Sequence, residues 1–316
     1  MFSRRSILAL LPSAIAAGGV ATSGRAQPAR KLRIGFQKGE PTLVTAKQNR
    51  ALDTALAPLD VEVEWLEFQF GPPMLEAMRV GSVDFGGVGD TPPIFAQAAH
   101  ADLLYVAALP AGASAILVPP GSALKNLHDL KGKKLAFARG SSAHNLAVVA
   151  VEKGGLTWDD IVPVPLAPAD AAAAFERGNI DAWSIWDPYF AIGQIKQNGR
   201  ILASSTDIAR TNSFFIANRD FAKDHGPVLQ QIIDVTAATA KWAEAHRDEV
   251  AKSFSAVTGI PLDIQTVAAN RESFFVGPIT DDVIATQQGV ADRFFKLGLI
   301  PRAVVVRDAV WKQVAS

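Results

Sequence analysis

The 316-residue chain holds 31 Lys+Arg against 31 Asp+Glu, is 49% hydrophobic and 20% charged, and has no cysteine. Such a chain is globular, with a sizeable core in two domains or one large one, and is neither disordered nor collagenous. The charge balance excludes the basic face of a nucleic-acid binder, and the missing cysteine excludes disulfides, thiolate metal sites, a Cys nucleophile and a thioether-linked lipid anchor.

The balance hides an asymmetry at the start. Residues 1–26 contain Arg4, Arg5 and Arg25 and no acid. Arg4-Arg5 precede an apolar run over residues 7–17, and Gly24-Arg25-Ala26 sets small side chains around a cleavage site. This is the order of a secretory signal, and Ser3-Arg4-Arg5-Ser6-Ile7-Leu8 also looks like a twin-arginine signal. Pro12 and Ser13 interrupt the run, which is short of the ~20 apolar residues that a membrane span needs. Removal of residues 1–26 leaves a net charge of −3. No later stretch is long and apolar enough to span a membrane, so the expectation is an exported protein, soluble and outside the cytoplasm.

From Lys31 to Phe36 apolar and polar residues alternate, and the pattern breaks at Gly39. That predicts a strand running into a loop, followed by a helix over residues 42–56 and a strand over 61–68. A helix then ends at Gly81, an acid follows at Asp84, and a strand starts at Phe85. The same plan returns. Residues 133–140 form a strand and loop, 143–153 a helix stopped by Gly154-Gly155, and 161–166 a strand. A helix then ends at Gly178, ahead of Asp181 and another strand. Gly81 and Gly178 lie 97 positions apart, as do Asp84 and Asp181. Glycine at a helix end fits a left-handed cap. Strand–helix–strand–helix–strand, twice, predicts an α/β fold of two lobes with a mostly parallel sheet in each.

Short strands follow over residues 201–206 and 213–217. A long helix opens at Gly226-Pro227, with Leu229, Ile233, Ala237 and Ala240 at helical spacing. Further helices are predicted over 262–270, 280–297 and 307–313. A helical tail cannot complete the second sheet, so it returns to the first lobe. Lobe one is therefore residues 27–117 plus 217–316 and lobe two 118–216, with two crossings of the chain as a hinge.

In open α/β sheets ligands bind beyond the carboxyl ends of the strands. The loops expected there run from Gln37 through Lys38, Gly39 and Glu40 to Thr42, over Gly87–Pro93, from Arg139 to Asn145, over Trp186-Asp187-Pro188-Tyr189, and across Thr211-Asn212-Ser213-Phe214-Phe215. Several open helices. Ser, Thr and Asp cap the free N–H groups there, and the same groups attract an anion by about 0.3–2 kcal/mol per contact. Taken singly, Ser141-Ser142 and Asp90-Thr91 are ordinary caps, Trp183 and Trp186 are core residues, and Asp187 starts a turn. Taken together, loops rich in Ser, Thr, Gln and Asn point to a polar ligand site, with Trp186 and Tyr189 as apolar walls carrying polar tips.

Signs of catalysis are few. The five histidines lack metal-ligand spacing, and the serines lack the G-x-S-x-G elbow. Gly86-Gly87-Val88-Gly89 fits neither a P-loop nor a dinucleotide fingerprint. Asp159-Asp160 and Asp281-Asp282 read as acids at helix starts. No enzyme activity, metal or cofactor is expected.

Several segments carry a resemblance: IGFQKG from Ile34, VEWLEF from Val63, GPPMLEAMRVGSVDFGGVGD from Gly71, PPIFAQAA from Pro92, DLKGKKLAFARGSSAHNL from Asp129, PADAAAAFERGNIDAWSIWDPY from Pro168 and TNSFFIA from Thr211. On these, the chain resembles the periplasmic substrate-binding proteins of ABC transporters, specifically the aliphatic sulfonate-binding family. The resemblance implies a two-lobed, hinged type II flytrap, monomeric and without a cofactor. Such a receptor closes on a small anionic organosulfonate and hands it to an inner-membrane ABC permease for sulfur acquisition. It also implies ligand contacts from Gln37, Gly89, Asp90 and Thr91 in lobe one. In lobe two they come from Ser141, Ser142, Asn145, Trp186, Asp187, Tyr189, Ser213 and Phe214. The Ser and Thr residues would bond the sulfonate oxygens, Trp186, Tyr189 and Phe214 would line the carbon tail, and His144 would pack near the site.

The loop over residues 38–42 departs from the more Ser/Gly-rich version of that family. Its Glu40 sets an acid beside a proposed anion site, which points to a ligand with an amine, such as taurine. Other receptors of this fold would take nitrate, sulfate esters or aromatic sulfonates. Thiamine-pyrimidine synthases share the fold but need a reactive Cys/His set, and this chain has no Cys.

Overall fold

The computed structural model describes residues 30–312; the expected leader over residues 1–26 lies outside them. Ten strands form two sheets. In chain order they are β1 (Arg30–Gln37), β2 (Val61–Phe68), β3 (Phe85–Val88), β4 (Leu103–Pro110), β5 (Ser114–Val118), β6 (Lys134–Phe137), β7 (Val162–Pro165), β8 (Ala182–Trp186), β9 (Arg200–Ser204) and β10 (Asn212–Asn218). Helices α1 (Pro41–Gln48), α2 (Ala51–Leu56), α3 (Gly71–Arg79) and α4 (Thr91–Ala98) connect the early strands. Helices α5 (Ser142–Lys153), α6 (Pro168–Glu176), α7 (Tyr189–Ile195) and α8 (Ser205–Ile208) belong to the second half of the repeat. The tail adds α9 (Arg219–Asp224), α10 (Gly226–Ala245), α11 (Arg247–Thr258), α12 (Leu262–Arg271) and α13 (Asp281–Lys296).

The duplication has a physical basis at matched positions. Gly81 and Gly178 adopt φ of +73° and +69° at the ends of α3 and α6, a conformation that a Cβ would disfavour. The acid three residues on does the same work in each lobe. The Asp84 carboxylate accepts the Arg33 N–H at 2.8 Å, while its own N–H donates to the Arg33 carbonyl at 2.8 Å. Asp181 treats Lys134 likewise, at 2.8 and 3.0 Å. Each acid thereby pins the start of a parallel pair, β1 with β3 and β6 with β8.

The sheet orders are β2-β1-β3-β10-β4 and β7-β6-β8-β5-β9. In each, four strands run one way and a single strand, β10 or β5, runs against both of its neighbours. That odd strand is the one whose chain has just arrived from the other lobe. The crossings therefore fall at residues 111–113 and 209–211, earlier than the expected breaks after 117 and 216. Pairing decides the matter: Ser114–Leu117 ladder with Trp183–Trp186, and Phe214 sits between Val88 and Ala108. Residues 114–118 thus belong to lobe two. Ser213 and Phe214 belong to lobe one, not to lobe two as the sequence suggested.

Two further expectations change. The helix over residues 42–56 is two helices, broken where Arg50 takes φ +51°. The stretch from Arg307 is only a short 3-10 turn at Val306–Ala309. Beyond it Val310 bridges to Tyr105, and the Trp311 N–H donates to the Tyr105 carbonyl at 2.9 Å; β4 is an outer strand with free backbone groups to offer.

The helical tail does return to lobe one. Leu229, Ile232 and Ala243 of α10 and Val250 and Phe254 of α11 pack on Leu32, Ile34 and Phe36 of β1. Met74 and Met78 of α3, Ile94 of α4 and Phe294 of α13 fill the opposite face of the same sheet. Each fully buried side chain of this size contributes about 1.5–3 kcal/mol. Among the described residues no helix is long and apolar enough to cross a membrane.

Candidate ligand site between the lobes

The carboxyl ends of β1 and β3 in lobe one face those of β6 and β8 in lobe two across a cavity of about 100 Å³. Its wall includes Gln37, Glu40, Thr42, Gly89, Asp90, Ser213 and Phe214 from lobe one and Ser141, Ser142, Asn145 and Trp186 from lobe two. Gly112 and Thr211, on the two crossings, close its back, and Glu272 and Ser273 reach it from beyond α12. Three of the residues singled out from sequence do not line it. Thr91 is fully buried, with its hydroxyl given to the Asp90 carboxylate at 2.8 Å. Asp187 accepts the Ala191 N–H of α7 at 2.9 Å. Tyr189 packs on Trp183, with ring centroids 6.4 Å apart. Phe214 contributes to the wall but is mainly a core residue, edge-on to Tyr105.

Four helices begin at these strand ends, and their N-termini differ. In α1 the Glu40 carboxylate accepts from Thr42 and Leu43 at 3.2 and 2.7 Å, and Pro41 has no N–H to offer. Helix α4 is headed by Asp90 and carries Pro92 and Pro93 in its first turn. The head of α7 is held by Asp187. Only α5 opens without a carboxylate. Its N-cap residue Ser141 turns its hydroxyl away, to the Ala138 carbonyl at 2.7 Å, and caps nothing. The N–H groups of Ser142 and Ala143 and the Ser142 hydroxyl have no partner among the described residues. Uncovered first-turn N–H groups at the positive end of a 12-residue helix are where an anion is stabilised.

His144 secures that helix head from behind. Its ring stacks on Phe137 at 4.5 Å, within a cage completed by Phe95, Trp158 and Phe294. The Gly140 N–H donates to His144 Nδ1 at 3.2 Å, so Nδ1 carries no proton. Burial, reinforced by the nearby Arg139 charge, pushes the imidazole down to about 3. A neutral ring thus holds Gly140, whose φ is +73°, at the turn into α5.

Contacts between the lobes flank the cleft. Asn145 Nδ2 donates to the Asp90 carboxylate across the cleft at 2.6 Å, while within lobe one Gln287 Nε2 donates to the Asp90 carbonyl at 2.6 Å. Arg293 of α13 reaches Asn145 Oδ1 at 3.3 Å and Glu152 at 3.0 Å. Arg271, at the end of α12, pairs with Asp187 at 3.4 Å, donates to Gln194 and lies 4.0 Å over the Phe190 ring. Glycines permit the close approach: a Cβ on Gly89 would stand 2.9 Å from the Ser142 Cβ, and one on Gly39 would stand 2.9 Å from the Asp187 carbonyl.

The charge in the cleft is carboxylic. Among the described lining residues there is no Lys or Arg, but there are Glu40, Asp90 and Glu272. Burial pushes Glu40 up to about 7, against the pull of the α1 N–H groups. Burial likewise brings Asp90 up to about 6. Glu272 is raised to about 8 by burial and then by the charges of Glu40 and Asp187. Glu272 carried no sequence signal, because it follows a helix end with no local motif. Among the described residues no cluster of side chains could hold a metal ion.

In sequence and in fold the chain is similar to known proteins. The family described as NMT1/THI5 like matches residues 60–250. The chain is 40% identical over 284 residues to an aliphatic sulfonates-binding protein of Escherichia coli (strain K12), covering 89% of this chain and 88% of that one. Its fold is similar to that of the alkanesulfonate-binding protein SsuA of Xanthomonas axonopodis pv. citri bound to MOPS, with TM-score 0.85 and 42% identity over 90% of this chain and 99% of that chain. It is also similar to the periplasmic aliphatic sulphonate binding protein SsuA of E. coli, with TM-score 0.83 and 39% identity over 90% and 93% of the two chains. With this identity over nearly its whole length, the chain belongs to the aliphatic sulfonate-binding proteins of the NMT1/THI5 like family.

Proposed function

We propose that the protein is an exported, non-enzymatic receptor that binds a small organosulfonate between its lobes and delivers it to an ABC permease. One observation carries the reading: of the four helices that follow β1, β3, β6 and β8, only α5 has a head free of carboxylate and rich in unpaired N–H groups, while α3, which also opens at the cavity wall, has Pro72 and Pro73 in its first turn. The sulfonate oxygens take the N–H groups of Ser142 and Ala143 and the Ser142 hydroxyl. Trp186 supplies an apolar wall for the carbon chain. The anion is held by dipoles without a cationic side chain, which lets a hinged receptor release it.

The ligand touches both lobes only when they meet, so binding shifts the population toward the shut form. A sulfonate keeps its charge over the biological pH range, and its own titration plays no part. Calorimetric titration of the purified protein with the C2 to C8 alkanesulfonates tests the reading. Saturable one-to-one binding of at least one of them is expected, and no binding across the series would overturn it.

A further inference from the structure

The anion-binding head of α5 occupies one side of the cleft; the other side is acidic. Glu40 enters from the loop between β1 and α1, close enough to β3 that a Cβ on Gly87 would meet its Cγ at 2.8 Å. The Glu40 oxygens accept the backbone N–H groups of Thr42 and Leu43, the Thr42 side chain bonds the same carboxyl, and one of its four lone-pair sites is left. Glu272 reaches the cavity from the segment after α12, and its Oε2 stands 3.4 Å from where a Cβ on Gly112 would be. Its carboxylate has no side-chain partner among the described residues.

The cations nearby are committed elsewhere. Arg247 donates to the carbonyls of Ala269 and Glu272 at 2.6 and 2.8 Å and to Glu244 at 2.6 Å. Arg271 is held by Asp187 and Gln194. Two buried carboxyls without a cation either hold their protons or take a cation from a ligand.

We infer that Glu40 and Glu272 form an ammonium subsite, so that the preferred ligands are aminoalkanesulfonates rather than plain alkanesulfonates. This rests on the sulfonate reading of the α5 head and adds the opposite pole to it. A primary ammonium has three donors and no acceptor, which suits two carboxylates with unused lone pairs. The ligand then enters the cleft as a dipole, its anion on the helix head and its cation on the acids, and carries no net charge into the interior. The groups that bear on the two acids are Asp187, of like sign, and Arg247, of opposite sign. In the ligand-free cleft burial keeps both carboxyls near the protonated side of neutrality. Ammonium binding ionises them and releases protons to the buffer.

The test is calorimetry of the full chain with 2-aminoethanesulfonate, 3-aminopropanesulfonate and propanesulfonate, each in two buffers of different ionisation enthalpy. The expected result is at least tenfold tighter binding of an aminosulfonate than of propanesulfonate, with a buffer-dependent enthalpy that reports proton release. Glu272→Gln should cut that advantage below threefold. Propanesulfonate binding as tightly as the aminosulfonates, with no proton release, overturns the subsite and leaves the sulfonate receptor standing. Binding of no sulfonate overturns both. The wild-type affinity ratio and proton count decide the question even where the variant folds poorly.

Discussion

The side-chain amide of Asn145 in lobe two is bonded to the carboxylate of Asp90 in lobe one at 2.6 Å. Both residues read from sequence as ligand contacts, yet each occupies the other. Asp90 is almost fully buried, and Thr91 and Thr211 are its further side-chain partners. Asn145→Leu is therefore expected to cost about 1–3 kcal/mol of stability, as a buried acceptor loses its donor. Urea unfolding measures this, and an unchanged midpoint contradicts the assignment.

Gly89→Ala tests the close approach of the lobes. Its φ lies outside the left-handed region, so the backbone tolerates alanine, but the new methyl would stand 2.9 Å from the Ser142 Cβ of the other lobe. The expected outcome is near-wild-type thermal stability with at least tenfold weaker ligand binding. Equal affinity would show that the loops do not need to meet.

Ser141 and Ser142 should separate cleanly. The Ser141 hydroxyl serves the Ala138 carbonyl, so Ser141→Ala should lower stability by about 1 kcal/mol. Ser142 faces the cavity with its hydroxyl free, so Ser142→Ala should weaken sulfonate binding about three- to tenfold at unchanged stability, about 1 kcal/mol. Paired melting and titration data on the two variants decide it.

Arg271 touches no part of the main cavity but ties α12 of lobe one to Asp187, Gln194 and Phe190 of lobe two. It is partly exposed, and its loss leaves Asp187 buried and unpaired. Arg271→Ala is expected to weaken ligand binding about tenfold, or about 1.4 kcal/mol, by disfavouring the shut form. Titration combined with small-angle scattering, which should report a more open average shape, checks the effect.

The cleft acids set a pH signature. Glu40 and Glu272 have folded values of about 7 and 8, above their ordinary value of 4.5. Between these limits the folded state binds more protons than the unfolded state, so ligand-free stability falls as pH rises from about 5 to 8. The slope is at most about 1.4 kcal/mol per pH unit for each group. His144 acts oppositely: lowered to about 3, it costs stability as pH falls below 6.5 and dominates once the acids are protonated in both states. Asp90, raised to about 6, acts in the same sense as the two glutamates, so the acids outweigh His144 and melting temperatures should fall from pH 5 to pH 8.5; Glu272→Gln should flatten the upper limb. A flat upper limb in the wild type contradicts the burial of these acids.

What could be read beforehand was local. The alternation in β1, the glycine stops at Gly81 and Gly178 and the pinning acids Asp84 and Asp181 each act within a few residues or on a neighbouring strand of the same unit. The crossings were misplaced because nothing in the apolar run Ser114–Val118 says which sheet it joins; that depends on partners such as Trp183–Trp186, some 70 positions away. The loops around the site were legible, because strand ends are. The direction of each side chain was not. Thr91 turned to Asp90 and Tyr189 to Trp183 through the phase of the helices they begin. Glu272 became visible only when the tail folded back.

The exchange of one strand between sheets has an unequal effect on assembly. All five strands of lobe two lie within residues 114–204, so that lobe can complete its sheet from one unbroken stretch. Lobe one cannot: β4 must wait for β10, and Pro110 pairs with Asn212 only after the whole of lobe two has been made. Closing that loop in a disordered chain costs about 4 kcal/mol from its length alone. Once lobe two has folded, the two ends leave it side by side on neighbouring strands. The middle of the chain therefore acts as a template that nucleates the joining of its two ends, and synthesis on the ribosome presents the parts in the order that such a pathway requires.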